Sequence, residues 1–346
     1  MKKKFGPFII NNNTPIIIAE VGVNHSGKFS VAKKYVEICK KSGADAIKFQ
    51  TYKAETIAAR NSPAYWNLKL EKTKSQFELF KKYDKFNYPE FKKLKKLSDK
   101  KKILFMTTLF DVNDVSRYNS LIKIYKISSS DITNIPLLRK IGQQKKYTII
   151  STGASTIKEI KHALKVLALP KNKVCIMHCV LNYPTINEFA NLMYIKTLKS
   201  KFKGYIIGYS DHTVPDKNLT SLILASNLGA QIIEKHFTLN KKLKGNDHYH
   251  SMDSKDLINL RKIIHKRNIL LGNGRKNLSN EKKSISFARR GIYARKDVRA
   301  GEILTHKNLI TLRPENSLSS KHWDFVIGKK VKKNIKKGAS LSLSVL

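Results

Sequence analysis

Cysteine is scarce, with three residues, Cys39, Cys175 and Cys179, in a chain of 346. Three are too few for a disulfide framework at this length, so a reducing, cytoplasmic setting is expected. Cys175-Ile-Met-His178-Cys179 has the composition of a ligand cluster. On a strand, however, both cysteines share one face and His178 takes the other, which assigns the cysteines to packing. No run of about 18 apolar residues is available to cross a bilayer. The basic start Met1-Lys-Lys-Lys-Phe lacks an apolar stretch with a small-residue cleavage site, so neither export nor membrane association is expected. A Gly-x-Gly-x-x-Gly turn is also missing after the first strand-like run, where Gly22-Val-Asn-His-Ser-Gly27 has a different spacing. This argues against a dinucleotide fold.

Acidic residues are in short supply too: 25 Asp and Glu face 68 Lys and Arg, a formal charge of +43. The lysines are spread over nearly every helix-like segment. In Phe91-Lys-Lys-Leu-Lys-Lys-Leu-Ser-Asp-Lys-Lys-Lys102 they fill the solvated faces, while Leu94 and Leu97 keep a buried stripe. No zinc-finger spacing, stacking-aromatic motif or basic arm accompanies them, so no nucleic-acid partner is expected. Such a field does attract small polyanionic substrates, and it makes association salt-sensitive.

With 41% hydrophobic residues the chain is long enough for one large domain and a small appendage. Eight β-like runs, at 15–22, 46–52, 103–109, 124–130, 147–153, 174–180, 205–211 and 231–238, alternate with helix-like segments. Eight such units predict a (β/α)8 TIM barrel over residues 1–272. Residues 61–87 exceed one connection and read as a lid-like or helical insertion after the second strand. Glycine, asparagine and serine around Gly272-Asn-Gly-Arg mark a linker at 273–285. A mostly β unit follows at 286–346, carrying the near-repeated phrases Asp297-Val-Arg-Ala-Gly-Glu-Ile and Asn334-Ile-Lys-Lys-Gly-Ala-Ser.

A barrel of this kind places its active site at the C-terminal ends of its strands. The residues at those ends are Glu20; Lys48 and Gln50; Thr107 and Thr108; Lys126, Ser129 and Asp131; Ser151, Thr152 and Gly153; Asn182; Ser210, Asp211 and His212; Glu234 and His236. Lysines, hydroxyls and glycine amides together describe a cradle for phosphate or carboxylate. His212 and His236 are two anchors for one divalent cation. Each residue alone could be a helix cap or a satisfied turn. Together they would be a buried polar cluster without a purpose unless they bind something.

The phrases Ile18-Ala-Glu-Val-Gly-Val-Asn-His-Ser-Gly27, Gly43-Ala-Asp-Ala-Ile-Lys-Phe-Gln-Thr51, Ser151-Thr-Gly, His178-Cys, Gly208-Tyr-Ser-Asp-His-Thr213 and Glu234-Lys-His-Phe-Thr238 give the chain a specific likeness. It resembles the sialic acid synthase family from about residue 14 to its end. The closing segment is similar to that family's antifreeze-like (SAF) domain, through Arg289-Arg-Gly-Ile-Tyr-Ala, Arg313-Pro and Ile327-Gly-Lys.

The resemblance implies condensation of phosphoenolpyruvate with an N-acetylated hexosamine, typically N-acetylmannosamine, to a nine-carbon 2-keto acid with release of phosphate. It implies that Lys48, Gln50, Thr108, Lys126, Ser129, Thr152, Gly153, Asn182 and Ser210 hold phosphoenolpyruvate. His212 and His236 would bind Mn2+, with Mg2+ or Co2+ as substitutes. Glu20 or Asp131 would move protons, and Asp247 would contact sugar hydroxyls. Arg313 would reach the partner's sugar in a domain-swapped homodimer. Gly245-Asn-Asp247, Thr108-Leu109, Arg313-Pro-Glu315 and Ser128-Ser-Ser-Asp131 depart from the family's usual Gly-Pro-Asp, Thr-Pro, Arg-Pro-Gly and Gly-Ser-Gly-Glu. Sister activities that make legionaminic or pseudaminic acid from a diacetamido-trideoxyhexose share the same half-reaction. A different class, a non-catalytic polyanion-binding protein on a degenerate barrel, would be expected to have lost part of the lysine and histidine sets.

Overall fold

The structure, a computed structural model, describes residues 4–11, 13–69, 71–245 and 247–346. Asn246, one of the departures noted above, lies outside the described residues. The chain divides into two compact units, Met1–Leu270 and Leu271–Leu346.

The first unit begins with a short hairpin, β1 (Lys4–Phe5) and β2 (Phe8–Ile9). Eight parallel strands follow: β3 (Ile16–Gly22), β4 (Ala46–Thr51), β5 (Leu104–Leu109), β6 (Ile124–Ile127), β7 (Tyr147–Ser151), β8 (Val174–Cys179), β9 (Ile206–Asp211) and β10 (Ile232–His236). They pair in chain order and close through β10 on β3. This is the expected TIM barrel, and each strand lies within its expected run.

Helices α1 (Phe29–Ser42), α2 (Ala54–Ile57), α3 (Gln76–Tyr83), α4 (Tyr88–Lys100), α5 (Val112–Tyr118), α6 (Ile135–Gln143), α7 (Ile157–Leu167), α8 (Tyr194–Lys201), α9 (Thr220–Asn227) and α10 (Ser254–Leu271) intervene or follow. Their lysines lie outward as their periodicity requires: α1 buries Ala32, Tyr35, Val36 and Cys39, one stripe at helical spacing. Starts are chemically specified, as where Thr156 and Glu159 form a reciprocal capping box on α7. No helix among the described residues is long and apolar enough to cross a membrane.

The pleat sorts each strand. Outward residues such as Ile17, Ile47, Phe49, Phe105, Ile150 and Ile176 join the helices in the larger core. Inward residues Ile16, Ile18, Ala46, Met106, Ile124, Ile149, Cys175, Met177, Ile206 and Ile232 fill the barrel, which Phe5 plugs from the hairpin. Continuing the same inward parity by one or two steps brings the apolar filling to an end and the polar residues to the strand ends.

The second unit contains α11 (Lys282–Ala288), an antiparallel pair β11 (Gly291–Ala294) and β12 (Leu309–Leu312), and α12 (Trp323–Val326). Its core is Ile292, Ala294, Val298, Leu304, Leu309, Val326, Val331 and Leu341. The two near-repeated phrases pair with each other: Val298 and Ile335 exchange N–H···O bonds of 2.8 Å in both directions. The stretch 273–285, read from sequence as a linker, holds part of α11 and a 3-10 turn, Leu278–Glu281.

Candidate active site

A cavity of about 570 Å³ opens at the C-terminal ends of the barrel strands. That volume falls within the range usual for small-molecule sites. Of the residues proposed from sequence, Glu20, Lys48, Gln50, Thr108, Lys126, Ser129, Asp131, Ser210, His212, His236 and Asp247 line it.

Two lysines and two glutamates form its floor. Lys48 Nζ lies 2.6 Å from Glu20 Oε2 and 3.6 Å from Glu234 Oε1, and Lys126 Nζ lies 3.6 Å from the same Glu234 oxygen. Thr108 Oγ1 accepts from Lys48 at 3.1 Å, Ser210 Oγ donates to Glu234 at 3.3 Å and Gln50 Nε2 donates to Glu20 at 3.0 Å. Strand register explains the grouping: Glu20 pairs with Lys48, Gln50 with Thr108, Thr108 with Lys126 and Ser210 with Glu234.

Burial governs the charges here. It pushes Glu20 up to about 7 against the pull of Lys48. It also pulls Lys126 down, whereas at Lys48 it is outweighed by Glu20 and Glu234, which hold that ammonium above its ordinary value. Glu234, which burial would raise, is held low by Lys126 and Lys48. Asp131, on the Ser129–Asp131 turn after β6, is raised by burial although Asn134, Ser128 and Ser130 all donate to it.

Opposite the lysines lie the imidazoles. The rings of His212 and His236 are 5.6 Å apart, and Tyr183 packs 4.1 Å from His212. His212 Nδ1 donates to the Val180 carbonyl at 2.7 Å, which leaves Nε2 as the lone-pair nitrogen. Burial, with His250 and His212 nearby, holds His236 neutral far below the ordinary histidine value, the form a cation requires. Asp247, pushed up to about 6 by burial, stands 3.6 Å from His236 Nδ1. Imidazole and carboxylate oxygen together suit a borderline divalent ion, and His236 Nδ1 has no hydrogen-bond partner among the described residues. These residues fit the metal that the sequence suggested.

Three proposed residues of the barrel unit do not line the cavity. Thr152 spends its hydroxyl on the Met177 carbonyl at 2.9 Å, and Gly153 donates its N–H to Ser129 Oγ at 3.0 Å. Gly153 is needed there because a Cβ would meet that oxygen at 2.9 Å. Asn182 is exposed, and its neighbours Leu181 and Tyr183 face inward instead. Arg313 is exposed in the second unit, just after β12.

The two ends of the chain match two family models, the NeuB family over residues 35–276 and the SAF domain over residues 289–346. The chain belongs to the NeuB family. It is 38% identical over 328 residues to N,N'-diacetyllegionaminic acid synthase of Campylobacter jejuni, covering 93% of this chain and 97% of that protein. It is 31% identical over 331 residues to pseudaminic acid synthase of the same species, covering 94% of each. Among solved structures, N-acetylneuraminic acid (sialic acid) synthetase of Leptospira borgpetersenii in complex with citrate superposes with a TM-score of 0.70 at 35% identity, covering 82% of this chain and 94% of that one. The family and the barrel-plus-SAF architecture read from the motifs are thus borne out.

Two strand-end residues of this NeuB-family cavity, Ser151 and Glu234, carry no individual role in the sequence reading, and others fall outside it. Ser151 has a buried hydroxyl without a partner among the described residues, and it shares the inward parity of Ile149. Glu234 bridges both lysines. Cys179, assigned to packing, lines the cavity with its Sγ 3.9 Å from His212 Nδ1. Burial would raise that thiol, but His212 outweighs it and holds Cys179 below the usual range. The insertion after β4 forms a wall: Ile57, Tyr65, Trp66, Gln76, Leu79, Phe80 and Tyr83 all face the cavity.

Proposed function

We propose that the chain condenses phosphoenolpyruvate with an N-acetylated hexose, consuming water and releasing phosphate, to form a nonulosonic acid. One observation carries this reading: a single cavity sets two buried lysines with their hydroxyls against the imidazoles of His212 and His236, the second held neutral by burial, with carboxylates between them. That combination serves a substrate that is a polyanion at one end and a carbonyl at the other. The retained lysine and histidine sets stand against a non-catalytic polyanion binder.

Lys48, Thr108, Lys126, Ser129 and Ser210, joined by Ser151, hold the phosphate and carboxylate of phosphoenolpyruvate. A divalent ion on His212 and His236, with Mn2+ the first choice, would supply Lewis acidity to the open-chain aldehyde. Glu20, whose acid form burial favours, gives its proton to the aldehyde oxygen as C3 of phosphoenolpyruvate bonds to the sugar's C1. Asp131 takes a proton from the water that adds to C2. The bond between C2 and the phosphate ester oxygen then breaks, the C2 hydroxyl gives its proton to the departing phosphate, and the C2 ketone remains. Asp247 holds sugar hydroxyls, and Gln50 orients Glu20 through its 3.0 Å hydrogen bond.

For the acceptor we favour a 2,4-diacetamido-2,4,6-trideoxyhexose over N-acetylmannosamine. Its second acetamido group and C6 methyl add apolar surface, and the wall of Ile57, Trp66, Leu79 and Phe80 offers apolar surface to meet it. A relative named for a diacetylated product agrees with that choice. The protein works as a domain-swapped homodimer in this reading, with the partner's SAF domain covering the sugar through its arginine at position 313. Light scattering after size exclusion tests the dimer.

The decisive experiment is phosphate release from phosphoenolpyruvate by purified protein with Mn2+. Its arms contain the diacetamido-trideoxyhexose, N-acetylmannosamine or no sugar, each repeated in EDTA. Sugar-dependent, EDTA-sensitive release is expected, fastest with the diacetylated sugar. Release indifferent to sugar, or none with either, overturns the proposal.

A further inference from the structure

Buried histidines near the barrel mouth fall into two groups. His248 Nδ1 is bonded to Thr238 Oγ1 at 2.8 Å, His212 Nδ1 to the Val180 carbonyl at 2.7 Å, and His25 Nδ1 accepts from the Gly27 N–H at 3.1 Å. His250 is different. It is fully buried, and neither ring nitrogen has a hydrogen-bond partner among the described residues.

The backbone explains why His250 is there. After β10 the chain loops out and returns, and Met252 bridges Phe237 in parallel. The Met252 N–H donates to the His236 carbonyl and the Thr238 N–H to the Met252 carbonyl, both at 2.9 Å. Asn24 Nδ2 clamps the loop from β3's side, donating to the Phe237 carbonyl at 2.9 Å and to Ser251 Oγ at 3.4 Å. The loop is therefore pinned at both ends, and it brings the His250 ring to 5.1 Å from the His236 ring.

Asp247 comes from the same loop, and one donor atom from each of His236, Asp247 and His250 lies within 4.8 Å of the others. A ring nitrogen from each imidazole and a carboxylate oxygen thus converge, and no hydrogen bond among the described residues joins them. An unsatisfied buried polar atom costs about 1–3 kcal/mol; both ring nitrogens of His250 on the loop and Nδ1 of His236 on β10 are such atoms, and an occupant that accepts an electron pair from each ring offsets part of that cost. Imidazole and carboxylate donors at this spacing suit Mn2+, Co2+ or Zn2+ better than an alkali ion.

We infer that His250 is a third imidazole ligand, with Asp247 as a carboxylate ligand, to the divalent ion otherwise assigned to His212 and His236. This rests on the metal-assisted reading above and extends it. Asp247 Oδ2 faces His236, and its other oxygen stays available for a sugar hydroxyl. The ion is then held before the sugar arrives, by a set that does not need the substrate to complete it.

The test is Mn2+ titration of the full chain, followed by the electron paramagnetic resonance signal of free Mn2+, for wild type and His250→Ala. A lost ligand is expected to weaken binding by about tenfold or more, since even residues behind the ligands contribute on that scale. Affinity within about twofold of wild type overturns the inference. Electron spin echo modulation on wild-type protein counts the imidazoles directly: three support it, and two, with His250 bearing only water, overturn it. That count needs no variant, so a misfolded His250→Ala would leave the question decidable. Three imidazoles without sugar-dependent phosphate release would sustain the ligand set and reject the proposed reaction. EDTA-sensitive release with only two imidazoles would do the reverse.

Discussion

Lys48 Nζ lies 2.6 Å from Glu20 Oε2, on paired positions of adjacent barrel strands, with side chains only 4% and 2% exposed. A carboxylate and an ammonium at this depth hold each other's charge, and the carboxylate is the one that yields, raised to about 7. A phosphoenolpyruvate carboxylate arriving at Lys48 takes over the role of Glu20 as counter-ion and leaves Glu20 to work as an acid. Replacing Glu20 with glutamine keeps the shape and removes the transferable proton. Steady-state kinetics on Glu20→Gln should show kcat lowered by about 10²–10⁴ with KM for phosphoenolpyruvate unchanged or lower. An unchanged kcat would remove Glu20 from the proton path.

Lys126 separates binding from stability. Burial pulls this lysine down, and its partner Glu234 lies 3.6 Å away, no closer than it lies to Lys48. Lys126→Met therefore removes a costly buried charge while Glu234 keeps Lys48. KM for phosphoenolpyruvate is expected to rise by about tenfold to a hundredfold, the worth of a charge-assisted hydrogen bond, with Tm equal to or above wild type. A fall in Tm of several degrees with unchanged KM would mean that the lysine is structural.

Period-two parity made much of this site legible in advance. Once Ile18, Ala46 and Ile124 point inward, Glu20, Lys48 and Lys126 must follow two residues later. Where the chain leaves the strand, parity stops ruling. Thr152 and Asn182 were chosen just past the ends of β7 and β8, where the backbone turns, and the inward places go to Ser151 and Tyr183. Cys179 differs from its expected packing role for another reason: it keeps the inward parity of Cys175, but at the top of the barrel it lines the cavity, whereas Cys175, four residues below, is packing. His250 lies 14 residues beyond His236, and only the return of Met252 to the backbone of β10 joins them. No local pattern reports such a bridge. The repeated phrases of the second unit were visible as repeats, but their mutual pairing through Val298 and Ile335 was not.

Gly208 has a testable reason to lack a side chain. It takes an inward position on β9 between Ile206 and Ser210, where a Cβ would meet the Ile232 carbonyl oxygen at 2.7 Å and Met177 Cγ at 2.9 Å. Backbone on one side cannot yield, so Gly208→Ala must displace β10 or the barrel filling. Overpacking of this kind costs about 1–3 kcal/mol, and the urea midpoint should fall with the slope unchanged. Ser210 and Glu234 stand directly above, so catalytic loss should exceed what the fraction unfolded explains. A midpoint equal to wild type would show that the barrel interior is looser than these distances.

His25 sets a limit on acid stability. It is 2% exposed, its ring stacks 4.3 Å from Phe86, and its Nδ1 accepts from the Gly27 N–H, so the folded protein holds it neutral. Burial lowers it from 6.5 to about 4. Below about pH 6.5 the unfolded chain therefore takes up a proton that the folded chain refuses, and folding loses stability as the pH falls. The contribution is complete above pH 6.5 and gone by about pH 4, a loss of about 3 kcal/mol. His178 and His248, also lowered by burial, act in the same direction. Urea unfolding at intervals from pH 7.5 to 4 should show this decline in wild type and a shallower one in His25→Gln, whatever the variant's stability at neutral pH. Parallel profiles for the two proteins would mean that His25 is protonated without cost, and that the stacked, buried ring is freer to meet water than its packing against Phe86 allows.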